Sequence, residues 1–234
     1  MLHDHRFTDS QSLAQQLAEA IAKRLQATIE KRGRACLAVS GGRTPVLFFQ
    51  ALAKQPLPWS KVIITLVDER WVDENHAASN AALVREHLLQ GAAQAAYFLP
   101  LKNAAQTPKS GFMECENRLH ELIDQLDIAV LGLGHDGHTA SWFPHSSALT
   151  AALDENAGAW CCPVLDEPES MPRMTLTWAL LSRCQHLYLH FEGDDKNAVY
   201  DRACAVNERQ DIAEMPVRTL LFQSPVPLSL YRSA

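Results

Sequence analysis

Apolar residues along the chain alternate between helical spacing and short unbroken runs. Leu13, Leu17, Ile21 and Leu25 recur on one side of a polar stretch, which predicts a helix over 10–32 with Gly33 at its C-cap. The run Ala35 to Val39 predicts a buried strand, and Val46 to Lys54 an apolar helix. Lys61 to Val67 predicts a second strand, and Ser79 or Asn80 caps a helix reaching Leu89. A short strand follows at Tyr97 to Leu99, a polar loop at Lys102 to Thr107, an amphipathic helix at Pro108 to Leu126 and an apolar strand at 127–133. Residues 145–158 suggest loop and a short helix, 159–164 a strand, and 166–172 an acidic, Pro-rich loop. Residues 173–177 lead into a helix-like segment at 178–181. A strand is expected at 186–191, a helix at 197–205, a strand at 217–222, and a Pro-rich tail at the end. This alternation predicts the α/β class: a single Rossmann-like domain over 1–234, with a mostly parallel twisted sheet flanked by helices. Loops 68–80 and 143–172 are the places for a small lid or lobe.

Composition narrows the partners. The 234 residues are 47% hydrophobic and 21% charged, ordinary for a globular chain with a sizeable core. A net charge of -6 argues against nucleic acid and anionic membranes, while leaving room for a local basic pocket. No apolar run approaches the roughly 20 residues of a membrane span, and the polar start has no signal-peptide core. A cytoplasmic monomer or small homo-oligomer is expected. The six cysteines form neither a C-x-x-C pair nor a zinc spacing with histidine; adjacent Cys161 and Cys162 suit half-buried thiols on a strand.

Chemistry concentrates where strands end. After Val39 comes Ser40-Gly41-Gly42-Arg43-Thr44-Pro45, whose glycines free the backbone to turn several N–H groups and a helix start toward one anion. It is neither a Walker A loop nor G-x-G-x-x-G, so no nucleotide is implied. After Val67 come Asp68, Glu69 and Arg70, placed to serve as a base, a hydroxyl partner or a forked anion ligand, or simply as a surface salt-bridge cluster. The densest stretch is Leu131 to Pro144, with Gly132, Gly134, His135, Asp136, Gly137 and His138 at a strand end. His138 is the side chain there best suited to move a proton near neutral pH. Asp136 either orients its imidazole or caps a following helix. His135 suits a solvent-facing position. Ser141, three residues on, is placed to turn its hydroxyl toward His138, but no G-x-S-x-G marks a serine nucleophile.

These motifs in their order resemble the 6-phosphogluconolactonase family: Ser40-Gly41-Gly42-x-Thr44-Pro45, Asp68 to Val72, Asn80, Gly132-x-Gly134-x-Asp136-Gly137-His138-Thr139-Ala140-Ser141-x-Phe143-Pro144, Pro172-Arg173-x-Thr175 and Gly193-x-x-Lys196. Glucosamine-6-phosphate deaminase is similar in its first and fourth motifs, but its turn continues toward Asn-Glu-Pro, where this chain has Ser141-Trp142-Phe143-Pro144. Its second motif has Tyr where this chain has Arg70. Met174 and Arg43 depart from the common lactonase pattern.

The resemblance implies a hydrolase that opens a phosphorylated sugar lactone in the oxidative pentose phosphate pathway, without cofactor or metal. It implies His138 as general base, with Asp68, Arg70 and Asp136 beside it. Ser40, Gly41, Gly42, Arg43 and Thr44, with Arg173 and Lys196, are expected around the substrate phosphate. A sugar-phosphate-binding regulator is disfavoured, since length and charge leave no room for a DNA-binding module.

Overall fold

The computed structural model describes residues 2–156, 158–165, 171–205 and 211–234. Seven strands form one sheet in which every neighbouring pair is parallel. They are β1 (Leu2–Phe7), β2 (Ala35–Val39), β3 (Val62–Leu66), β5 (Tyr97–Leu99), β6 (Ile128–Leu131), β9 (His186–Glu192) and β10 (Leu228–Ser233), in the spatial order β1-β10-β9-β6-β2-β3-β5. A second sheet is antiparallel, with β8 (Arg173–Leu176) between β4 (Asp68–Arg70) and β7 (Cys161–Val164). The helices are α1 (Ser10–Arg32), α2 (Val46–Ala53), α3 (Asn80–His87), α4 (Pro108–Leu122), α5 (Leu149–Leu153), α6 (Trp178–Leu181), α7 (Asp194–Ala203) and α8 (Arg218–Gln223).

Local chemistry explains the element ends. Asp9 caps α1 by accepting from the Ser12 N–H at 2.8 Å, and Gly33 ends it at φ 84°. Ser79 caps α3 through the Ala82 N–H. Thr107 and Ser110 form a capping box at the start of α4. The central strands are buried along almost their whole length, with only Glu192 at the end of β9 half-buried, as parallel strands covered on both faces must be. At the lower end of the sheet, buried Asp127 accepts from the Cys36 N–H at 2.7 Å, from Gln185 at 2.5 Å and from Arg32, tying α1, β2 and the start of β9 together.

Four sequence expectations change. Residues 218–223 form α8, where 217–222 reads as a strand: a short apolar run does not distinguish a strand from a buried helical turn. The Pro-rich tail contains β10, a wholly buried strand. The polar start forms β1, an edge strand whose side chains are largely exposed and which is tied to β10 by backbone pairing and by the Arg232–Asp4 ion pair. The helix expected to reach Leu126 ends at Leu122. Loops 68–80 and 143–172 supply β4 and β7 of the small sheet, and residues 166–170 of the acidic loop lie outside the described residues.

Strand order positions the site. From β2 the chain moves through β3 to β5 on one side, and from β6 through β9 to β10 on the other. The carboxyl ends of β2 and β6 therefore form a topological switch point, where open α/β sheets leave a crevice. Ser40 follows β2, and Gly132 to His138 follow β6.

Candidate active site

A cavity of about 240 Å³ opens above that switch point. The loop after β2 forms one wall, with Ser40, Gly41, Gly42 and Thr44 lining it ahead of α2. Gly42 holds φ 94°, a left-handed turn that favours glycine. A Cβ on Gly41 would lie 1.8 Å from Asn80 Oδ1, so this position requires glycine for a different reason. Asn80 in turn donates to the Asp68 backbone carbonyl at 2.8 Å and to its Oδ1 at 3.3 Å. The cradle and the second motif are thus packed as one unit.

The small sheet brings the charged residues together. In the β4–β8 register Arg70 lies directly opposite Arg173, and Asp68 opposite Thr175. Buried Asp68 accepts from Ser141 Oγ at 2.5 Å and faces Arg173 Nη1 at 3.6 Å. Arg70 is aimed by donating from Nη1 to the Ala78 carbonyl at 2.7 Å. Glu69 turns away from the cavity and is almost fully buried. It accepts from the N–H groups of Arg70, Asn80 and Ala81 and from Ser79 Oγ, anchoring α3 against β4. Burial pushes its carboxyl above the usual range, against the pull of those donors.

His138 occupies the opposite wall. Asp136 Oδ1 lies 2.6 Å from its Nδ1 and also accepts from its backbone N–H at 3.0 Å. No helix follows for Asp136 to cap: the chain turns instead through a Thr139–Trp142 bridge, with Ala140 strained at φ 49°. Burial raises the Asp136 pKa, but the hydrogen bond and charge of His138 outweigh it and hold the carboxyl at about 2. The imidazole lies over Gly134, where a Cβ would come within 2.1 Å of Nδ1. Phe143 packs between His138 and Arg173, with ring centroids 4.6 Å apart on one side and the guanidinium carbon 5.0 Å from the ring centre on the other.

Lys196, near the start of α7, lines the far end, its pKa lowered by burial against the pull of Asp195 and Asp136. The sequence-derived site residues therefore converge, with three qualifications. Arg43 is exposed and lies outside the cavity lining. The Ser141 hydroxyl is committed to Asp68 rather than turned toward His138. His135 is exposed at the rim, its Nδ1 3.2 Å from Asp195 Oδ2. Cys161 and Cys162 are buried on β7, away from the site. Among the described residues no three His, Cys, Asp or Glu side chains converge as a metal-binding group.

Residues 8–226 match the family model described as glucosamine-6-phosphate isomerases/6-phosphogluconolactonase. The chain belongs to that family. It is 42% identical to a 6-phosphogluconolactonase of Rhizobium meliloti over 97% of both chains. It is 41% identical to one of Pseudomonas putida, over 97% of this chain and 91% of the relative. A solved 6-phosphogluconolactonase structure from Shewanella baltica matches with TM-score 0.95 and 40% identity, covering 100% of this chain and 98% of that one.

One lining residue of this family member escaped the sequence reading. His190, on β9, is 3% exposed and borders the cavity. Its only sequence signal is a histidine near the end of an apolar strand, just before Gly193.

Proposed function

We propose that this protein hydrolyses 6-phospho-D-glucono-1,5-lactone to 6-phosphogluconate in the cytoplasm, as a step of the oxidative pentose phosphate pathway. Full-length similarity to proteins named for that activity supports the substrate. The observation that carries the mechanism is the His138–Asp136 pair at 2.6 Å, set across one cavity from the Ser40–Thr44 cradle.

Ionised Asp136 keeps the proton of neutral His138 on Nδ1. Nε2, which has no partner among the described residues, is left as the basic atom. Water attacks the lactone carbonyl as its proton passes to Nε2. The oxyanion develops beside Arg70. As the tetrahedral centre collapses, the carbon–ring oxygen bond breaks, and the imidazolium returns its proton to the departing oxygen. Such proton transfer is worth about 10²–10⁴-fold, and the reaction needs neither a metal nor a covalent intermediate. Ser40, Gly41, Gly42 and Thr44 present N–H and O–H groups to the phosphate, with Arg173 and Lys196 supplying charge. Asp68, held by Asn80 and Ser141, binds a sugar hydroxyl and keeps Arg173 in place.

The test is lactone hydrolysis above its spontaneous rate, run beside ammonia release from glucosamine-6-phosphate. The expected result is rapid lactone loss, no ammonia, and a drop of about 10²–10⁴-fold in kcat for His138→Ala. Ammonia release, or full activity in His138→Ala, overturns the reading.

A further inference from the structure

The mechanism above leaves a second histidine–carboxylate pair unused. His190 Nε2 lies 3.0 Å from Glu192 Oε1, and the two residues share one face of β9. The His190 ring packs edge-on against Phe48 of α2, with centroids 6.2 Å apart at 80°. No described residue partners its Nδ1, and the residue borders the active-site cavity.

Strand register fixes its level. Leu131 pairs with Leu189, and Val39 with Val130. Continued by one and two positions, the same register sets His190 beside Gly132, and Gly132 beside Gly41. Gly132 has no side chain to separate them. A Cβ there would meet only Ser40 Oγ, at 3.7 Å. His190 thus stands on the sheet level with the anion cradle and separated from it by a glycine.

We propose that His190 is a phosphate-binding residue of this site, donating from Nδ1 while Glu192 holds the opposite nitrogen. This rests on the lactonase reading for the substrate, though not for the anion. With Glu192 accepting from Nε2, donation from Nδ1 requires a proton on both ring nitrogens. Burial raises the Glu192 pKa, but the hydrogen bond from His190, with those from Ser10 and Ser233, outweighs it and keeps the carboxyl ionised. The other elements packed on the ring bring no competing acid: α2 offers Phe48, β6 offers Gly132, and β10 offers Tyr231 as the register partner. Arg173 and Lys196 line the same cavity as further cations, so a phosphate is the kind of ligand this charge set would hold.

The test is calorimetric titration of inorganic phosphate into the full chain, beside lactone kinetics. A charge-assisted hydrogen bond lost from a buried site predicts roughly tenfold weaker phosphate binding in His190→Leu. The KM for the lactone rises by a similar factor, with a much smaller change in kcat. Glu192→Gln keeps an acceptor beside Nε2 but removes the charge, and it weakens phosphate binding by about threefold. Unchanged phosphate affinity in folded His190→Leu overturns the inference. Should that variant fail to fold, unchanged affinity in Glu192→Gln does so. A wild-type chain that binds phosphate yet leaves the lactone intact refutes the proposed activity and not this residue. An active wild type whose His190→Leu variant keeps its phosphate affinity and KM refutes only this residue.

Discussion

Arg70 and Arg173 lie directly opposite each other on β4 and β8, lining one wall of the cavity. Like charges in opposed positions destabilise an antiparallel pair. Asp68 offsets part of the repulsion from 3.6 Å. An anion bound between the two guanidinium groups would offset more of it. Inorganic phosphate is therefore expected to raise the melting temperature of the wild type, by an amount set by its concentration relative to Kd. Arg173→Gln is expected to melt at or above the phosphate-free wild type and to lose most of the phosphate-induced shift. An undiminished shift in differential scanning fluorimetry would count against a shared anion site.

Gly134 gives a cleaner probe of His138 than replacement of the histidine itself. Its φ is not left-handed, so Gly134→Ala is tolerated by the backbone, but the new Cβ would lie 2.1 Å from the imidazole. The ring must move off Asp136. Activity is expected to fall by about 10²-fold, the low end of a lost general base, with thermal unfolding shifted by only a few degrees. A fully active Gly134→Ala variant would mean that the position of this ring does not matter.

Asp136 sets the acid limit. Its carboxyl sits at about 2 in the folded protein, against 3.8 ordinarily. A depressed carboxylate pKa contributes stability that is present above pH ~4 and is lost as pH falls toward 2. The pair thus stays intact at every pH where the enzyme is expected to work. Asp136→Asn keeps the shape but removes the charge that fixes the tautomer, and kcat is expected to fall more than KM changes. A pH series of urea melts on both proteins checks the stability part: the variant should lose less stability than wild type between pH 4 and 2.

His186 acts in the opposite sense, far from the site. Burial first, then the charges of Arg24 and His3, lower its pKa to about 4 from 6.5. The unfolded chain takes up this proton at higher pH than the folded one. Stability is therefore complete above pH ~6.5 and declines as pH falls toward 4, by at most about 3 kcal/mol. Urea midpoints at neutral pH and at pH ~5 should differ less in His186→Phe than in wild type. An equal difference in both would assign the acid sensitivity elsewhere.

Glu69 holds the charged wall in place. Its replacement by alanine leaves three backbone N–H groups and the Ser79 hydroxyl without their acceptor. The expected loss is about 3 kcal/mol of unfolding free energy. KM should rise as well, because Asn80 and Asp68 are positioned by the same turn. A stability change below about 1 kcal/mol would mean that water replaces the carboxylate there.

The sequence by itself determined five of the seven parallel strands and the motifs that follow them. Those signals are local. A run of buried apolar residues, a glycine pair before a helix and a histidine within a tight glycine turn depend on neighbours within a few positions. On that basis the glycine turn at Ser40–Thr44 and the histidine at position 138, the proposed cradle and base, were legible. Pairing between distant segments was not. β1 carries no apolar pattern because an edge strand is held by backbone pairing and a polar Asp4–Arg232 contact, and residues 218–223 became a helix because packing decides short apolar runs. Only the tertiary structure set Arg70 against Arg173, gave the Ser141 hydroxyl to Asp68, and used strand register to bring His190 level with the cradle. The physical reason is common to all of these. Hydrogen-bonded register and buried charge balance are properties of pairs of segments, so neither segment records them alone.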